Sequence, residues 1–301
     1  MGCGASGSRH NINYVEEVTP GVTPATPVFK EFRNTDWNVD LKKTEIVSAE
    51  KRSDRNIANV RHGNKETGGD IPVAFAADAF DDALEAVLCG TWTANVLKNG
   101  TEYRTFTFEN NFTDITQYVR DLNQVFNTFT LTVEPDAEVT GSFGFVGGER
   151  AMDQAPIAGA TYTGVTTTVP FDSFSATITE GGVLSGVVTS LTVNVDNGAA
   201  TVPVVGTDLP ACISKAECKV TGTISAQFVD EVFMEKFINE TESSLVFTLT
   251  DGAKTQTHTL GKIKYSGASA PKSGSSDIFI NMPFTAYLDP IDSSTYKIER
   301  S

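Results

Sequence analysis

The sequence is poor in the residues that carry most catalytic and metal-binding chemistry. Its 301 residues include only three histidines, four cysteines and two tryptophans. His10, His62 and His258 are far apart in the chain, without a second ligand at metal-site spacing. Ser173 and Ser175 lack the Gly-x-Ser-x-Gly setting of a hydrolase, and no glycine-rich stretch opens a helix as a phosphate-binding loop would. We therefore expect no enzymatic activity, no metal and no cofactor.

The cysteines do not form a recognisable framework. Cys89 follows a predicted helix and is expected to be a small buried apolar residue. Cys212 and Cys218 could bridge across a loop, but their spacing has no partner pair for zinc and no secretion signal favours oxidation. We expect free thiols.

Long apolar runs are also missing. None approaches the roughly 18 residues needed to span a bilayer. The opening MGCGASGSRH lacks the apolar region of a secretory signal. Gly2 and Ser6 fit the loose myristoylation pattern, but no polybasic segment follows as a second anchor. We expect no membrane anchor.

Basic residues are few relative to acids. Twenty-three Lys and Arg against 38 Asp and Glu leave a net charge of −15. Nucleic-acid binders need a basic footprint, so this class is excluded. Such acidity is typical of a soluble protein.

Strand-forming residues are abundant. Nineteen phenylalanines, with many Thr and Val, favour a mainly β fold, and only two short segments have helical periodicity. The first, residues 69–90, reads GDIPVAFAADAFDDALEAVLCG: alternating apolar residues predict a strand, and a three-turn helix follows. We expect Asp78 to cap this helix and Gly90 to end it.

The same pattern recurs 153 positions later, in residues 222–239, GTISAQFVDEVFMEKFIN. Four residues of the first copy are identical in the second, without a gap: Gly69, Ile71, Phe75 and Phe80 recur as Gly222, Ile224, Phe228 and Phe233. Asp230 and Glu231 repeat the acidic helix start. This indicates a tandem duplication, which the chain length allows.

Two segments near the N-terminus have unusual composition. Residues 1–28 lack periodicity and contain three Thr-Pro pairs, which indicates either a disordered tail or an extended arm on a neighbouring molecule. Residues 48–69 form a predicted long basic loop. It is either a solvated hairpin or an arm that contacts acidic groups of another subunit. Its candidate contact residues are Lys51, Arg52, Arg55, Arg61 and Lys65.

Turn signals divide the rest of the chain. Asn99-Gly100 and Asp251-Gly252 predict matching hairpins, residues 110–122 an inserted loop, and 277–287 the last strand. Residues 147–168 lose the strand pattern and indicate a linker. The predicted organisation is an N-terminal extended arm at 1–28, a first domain at 29–148, a linker at 149–168 and a second domain at 169–301.

Several of these stretches resemble the major tail tube proteins of long-tailed bacteriophages. They are GDIPVAF, AFDDALEAVLCGTW, VLKNGT and VTGSFGFVGG in the first half, and VTSLTVNVDNG and FINETESSLVFTLTDG in the second. The resemblance implies two tandem β-sandwich or barrel-like domains, each with one short flanking α-helix. It also implies a structural virion protein, made in the host cytoplasm, whose rings stack into the tube for genome ejection.

The implied partners are other copies of the chain and other tail proteins at the tube ends, while DNA passes through the lumen without specific binding. A ring of six domains would need three chains, giving a trimer with pseudo-sixfold symmetry; a hexamer is the alternative. Two other classes stay open. A fimbrial or cell-surface β-sandwich subunit would carry a signal sequence, and a secretion-tube subunit of related fold is normally a single domain.

Overall fold

The structure is a computed structural model that describes residues 4–184, 187–270 and 277–301. It is mainly β-sheet with two short α-helices, which confirms the predicted fold class. Gly2 of the loose myristoylation pattern and the fourth cysteine, Cys3, lie outside the described residues. Neither helix is long and apolar enough to cross a membrane.

The described part of the first half contains ten strands and one α-helix, preceded by a short 3-10 helix at Gly7–Arg9. The elements are β1 (His10–Glu17), β2 (Val28–Glu31), β3 (Asn38–Val47), β4 (Val60–Ala74), α1 (Asp81–Leu88), β5 (Val96–Lys98), β6 (Thr105–Phe112), β7 (Gln117–Val133), β8 (Thr140–Gly147), β9 (Glu149–Asp153) and β10 (Thr161–Thr163).

The described part of the second half contains ten further strands and the other helix. They are β11 (Thr177–Glu180), β12 (Val183–Leu184), β13 (Val188–Asp196), β14 (Ala200–Val202), β15 (Cys212–Ser214), β16 (Lys219–Gln227), α2 (Val232–Ile238), β17 (Ser243–Thr250), β18 (Thr255–Tyr265), β19 (Phe279–Ala286) and β20 (Lys297–Arg300).

Both halves have the same strand topology. In the first, the β3–β4 hairpin leads into α1, then into the meander β6–β7–β8, whose last strand returns to pair with β4. In the second, β13 and β16 precede α2, and β17–β18–β19 returns to pair with β16. The pairing of β9 with β7 corresponds to that of β20 with β18. The pairing of β1 with β6 corresponds to that of β11 with β17. The structure therefore contains a duplicated unit.

The glycines that revealed the repeat occupy equivalent places. Gly69 on β4 lies between Val39 and Phe145 of its two neighbouring strands. Gly222 on β16 lies between Val193 and Phe284 in the same way. A β-carbon on either glycine would collide with a backbone carbonyl, of Asn38 or Thr192, on the preceding strand. Both copies thus need glycine for the same close backbone approach.

The prediction of an N-terminal arm over residues 1–28 is wrong for residues 10–17, which form a strand of the sheet. β1 pairs with β6 along its whole length, from His10 opposite Phe112 to Glu17 opposite Thr105. Ile12 and Tyr14 are buried in the core. The repeated units span 10–153 and 177–300, so they extend past the predicted boundaries at 29 and 148. As domain limits, those boundaries stay a prediction.

Two local predictions fail after the first helix. β5 and β6 do not pair around Asn99-Gly100; β5 instead pairs with β20. Residues 110–122, predicted to be an inserted loop, form the end of β6 and the start of β7. The Asp251-Gly252 hairpin between β17 and β18 is confirmed. A final strand, β20, follows the one predicted to be last.

The signals for the first helix were correct in type but not in position, whereas Asp230 and Glu231 directly precede the second helix as predicted. α1 begins at Asp81, and Asp78 lies before it with a left-handed φ of 56° and pairs with Lys254. The helix ends at Leu88, and Cys89 after it adopts the left-handed conformation expected for Gly90. Its apolar face, Leu84, Val87 and Leu88 included, packs into a core rich in phenylalanine rings.

Candidate assembly interface

The two repeats are joined by a continuous β-ladder. β13 of the second repeat pairs antiparallel with β7 of the first, from Leu191 opposite Val133 to Asp196 opposite Thr128. Thr130 Oγ1 also donates to Asn194 Oδ1 at 2.9 Å. Leu191, Val193 and Val195 are buried on the core side. One repeat therefore adds its first long strand to the sheet of the other.

The counterpart of β13 in the first repeat is β3, and its outer edge is open. Among the described residues, β3 pairs with β4 and with no other strand. Trp37, Val39 and Leu41 alternate along this segment and correspond to Leu191, Val193 and Val195. An open strand edge presents unpaired backbone groups to another chain.

The second repeat offers a matching edge. Residues 266–270 continue the chain from β18 and correspond to the C-terminal part of β7 in the first repeat. They contact β19 as the C-terminal part of β7 contacts β8. The amide of Ser266 donates to the Pro283 carbonyl at 2.8 Å, and Ser269 bridges to Asn281. Residues 266–270 thus stand where β7 receives β13, but no strand of the described chain is added there.

The predicted basic loop is a long hairpin rather than a loop. β3 and β4 remain paired as far as Val47 opposite Val60, so the turn is confined to residues 48–59. Arg61 and Lys65 belong to β4. We call residues 43–65 the basic hairpin; most of its side chains are exposed. The prediction of a loop over 48–69 is wrong because half of that segment continues the strand.

Two of the five candidate contact residues are engaged within the chain. Arg52 pairs with Asp54 at 2.8 Å and lowers the pKa of that carboxyl to about 2. Lys65 pairs with Asp208 at 2.6 Å and lowers the pKa of the Asp208 carboxyl. The other three, Lys51, Arg55 and Arg61, form no ion pair within residues 4–184, 187–270 and 277–301. Their contact with another subunit stays a prediction.

The second repeat covers α1. Asn197 Nδ2 donates to the Val87 carbonyl at 2.8 Å, and Lys215 Nζ to the Ala86 carbonyl at 3.2 Å. Lys215 also approaches Cys89 Sγ at 3.1 Å. Both residues belong to the loop between β13 and β16, residues 197–218. Cations are favourable at a helix C-terminus, so this loop both covers and caps α1.

The equivalent helix α2 is not covered by the part of the chain that the structure describes. None of its seven residues, 232–238, is buried. Val232, Phe237 and Ile238 are exposed, as are Phe228 and Val229 just before the helix. Five apolar side chains therefore form an exposed patch where the other repeat has core. Sequence periodicity predicted the helix but could not show that its face lacks a partner.

The side chains that could bind a metal or react chemically are scattered or buried. The described residues contain no group of three His, Cys, Asp or Glu placed to hold a metal ion. Cys89, Cys212 and Cys218 are free thiols, and burial raises the pKa of Cys218 to about 11. His258 is fully buried, and burial lowers its pKa to about 3. Loss of water is the main cause of both pKa shifts.

Comparison with known sequences agrees with the assembly features. The sequence model of the phage tail tube protein family matches residues 7–286, nearly the whole chain. The chain belongs to the phage tail tube protein family. A comparison with curated proteins gives no match. The protein is thus a structural component of the phage tail, in a family not known for enzymes.

Proposed function

We propose that three copies of this tail tube protein close into a ring, and that the rings stack into the tube for genome ejection into the host. The observation that carries the proposal is the β7·β13 junction inside the chain. Each repeat is a module that accepts a strand on one side and donates its first long strand on the other. Repeating the same junction between chains produces a closed ring.

The two unpaired edges are the ends of this unit. β3 is the free donor edge, and residues 266–270 are the free acceptor edge. Joining them between neighbours covers both edges, so neither is left open for non-specific aggregation. Six repeats then come from three chains, and the symmetry is pseudo-sixfold because the repeats differ in sequence.

Charge supports a conduit for DNA. Three chains of −15 give a ring a formal charge of −45. A duplex carries about one negative charge per 1.7 Å of axis, so a basic lumen would hold it. An acidic wall repels DNA and lets it slide. The chain acts as a building block rather than an enzyme, and the tube ends bind other tail proteins.

Electron cryo-microscopy of tubes assembled from the purified protein tests the proposal. We expect three chains per ring, with six similar but unequal density lobes. Six chains per ring would contradict the trimer and reduce the duplication to a stacked arrangement. Failure to form any ring or tube would contradict the assembly role itself.

A further inference from the structure

We propose that the exposed apolar patch of α2 is the docking surface for the basic hairpin of a second copy of this chain. The patch consists of Phe228, Val229, Val232, Phe237 and Ile238. The inference rests on the proposed ring, since it assigns a specific contact to the junction between chains.

The argument starts from what covers α1. That helix is covered by residues 197–218, the loop between β13 and β16. The pairing of Lys42 with Glu66 corresponds to that of Asp196 with Lys219. The counterpart of residues 197–218 in the first repeat is therefore the basic hairpin, residues 43–65. Within the chain, residues 197–218 of the second repeat cover α1 of the first repeat.

The same neighbour supplies both contacts. A chain that adds β3 to residues 266–270 of its neighbour must bring its basic hairpin along, because the hairpin is the continuation of β3 and β4. Inside the chain, β13 adds to β7 while the loop after it covers α1. Repetition of this arrangement places the hairpin over α2.

Both surfaces are apolar and exposed. The hairpin presents Val47 and Val60, which are paired opposite each other, and Ile57 in its turn, which is 66% exposed. On the helix, Ile238 is 68% exposed and Val232 49%. Clusters of exposed apolar side chains mark contact surfaces in soluble proteins. Burying one set against the other removes both from water.

The surrounding charges are complementary. Asp230, Glu231, Glu235 and Glu240 surround α2 and form no ion pair within the described chain. Its one lysine, Lys236, is held by Glu180. The hairpin carries Lys51, Arg55 and Arg61 without ion pairs in that same part of the chain. Opposite charges of this kind fix register and partner choice.

Disulfide trapping between two chain variants tests the inference. In a Cys212→Ser background, one chain carries Ile57→Cys and a second, tagged chain carries Ile238→Cys. Placing the cysteines on separate chains restricts the mixed disulfide to a contact between chains. Both are mixed as minor fractions with wild-type chain so that tubes assemble, then oxidised and separated on a non-reducing gel. A second pair, Val60→Cys with Val232→Cys, repeats the test at other positions.

The matched control pairs Ile57→Cys with Ile291→Cys, whose side chain is 90% exposed in the loop after β19. We expect the mixed dimer for the α2 pairs at least tenfold above this control. Tubes that form normally but give no excess over the control would overturn the docking surface and leave the proposed function intact. Absence of tubes in the wild-type protein would instead overturn the proposed function.

Discussion

At the scale of single residues, His258 shows how burial sets chemistry in this protein. Its Nδ1 lies 2.7 Å from the Tyr296 hydroxyl, and its ring stacks on Phe247 with centroids 4.6 Å apart. Nε2 has no hydrogen-bond partner among the described residues. A protonated imidazole there would lose its hydration without gaining an anion. The side chain is therefore neutral, and its role is packing rather than catalysis.

This burial predicts a dependence of stability on pH. Unfolded chains protonate histidine near pH 6.5, whereas folded His258 has a pKa of about 3. Between these values the unfolded state binds the extra proton, so the free energy of unfolding falls by about 1.4 kcal/mol per pH unit on acidification. We expect His258→Phe to remove this component, measured by urea unfolding from pH 7 to 4.

The matched control is His62→Gln, because His62 is exposed on the basic hairpin. We expect this variant to retain the wild-type pH slope. Loss of the Tyr296 partner in His258→Phe lowers stability equally at every pH and does not mimic the effect. An unchanged slope in His258→Phe would show that the imidazole is accessible to protons in the folded state.

At the scale of elements, the two helices have equivalent places in the two repeats and different surroundings. Leu84 of α1 is buried in the core, whereas Ile238 of α2 is exposed to solvent. The cost of truncating a side chain follows the contacts that it loses. Leu84→Ala is expected to lower the unfolding free energy by about 2–5 kcal/mol. Ile238→Ala is expected to change it by less than about 0.5 kcal/mol.

Chemical denaturation of the unassembled chain measures both values. In assembled tubes Ile238→Ala is expected to matter more than in the single chain, because Ile238 is covered there in the proposed junction. We therefore expect Ile238→Ala to lower the temperature at which tubes dissociate, although it leaves the single chain unaffected. Equal sensitivity of the two variants in the unassembled chain would mean that α2 is packed in solution.

Local signals predicted the elements well, and distant pairings escaped them. Asp251-Gly252 forms its hairpin because the strands on either side are both free to pair locally. Asn99-Gly100 has an equally strong signal, but Val96–Lys98 pairs with Lys297–Glu299 near the other end of the chain. No turn residue reports such a partner. For the same reason, the polar β1 was not predicted as a strand: its partner β6 lies some 95 residues away.

At the scale of the whole molecule, duplication was predictable and interfaces were only partly so. Gly69 and Gly222 report a shared backbone constraint, which sequence preserves. The candidate contact residues were found through their charge, but charge could not show that Arg52 and Lys65 already have partners. The open edge of β3 is a property of topology alone, and only a structure reveals it.

The basic hairpin provides the test at this scale. We expect Arg52→Glu combined with Arg55→Glu to reduce polymerisation severalfold, because the reversed charges face the acids around α2. The unassembled chain is expected to keep its circular dichroism spectrum, since both residues are exposed. Negative-stain counts of tubes at several salt concentrations measure the effect.

Arg9→Glu with Lys219→Glu is the matched control, because it changes net charge equally at exposed positions outside the hairpin. We expect it to assemble almost normally. If tubes of the hairpin variant form as in the wild type, the hairpin is a solvated one and makes no contact through these charges.

The β7·β13 ladder also has a kinetic consequence. In each proposed ring, half of the six junctions are formed when the chain folds, before any encounter between molecules. Ring nucleation then depends on about the third power of protein concentration, where separate single-repeat subunits would need about the sixth. Tethering replaces a collision by an intramolecular step with high effective concentration. A duplicated chain can therefore nucleate tubes at a protein concentration that is too low for single-repeat subunits.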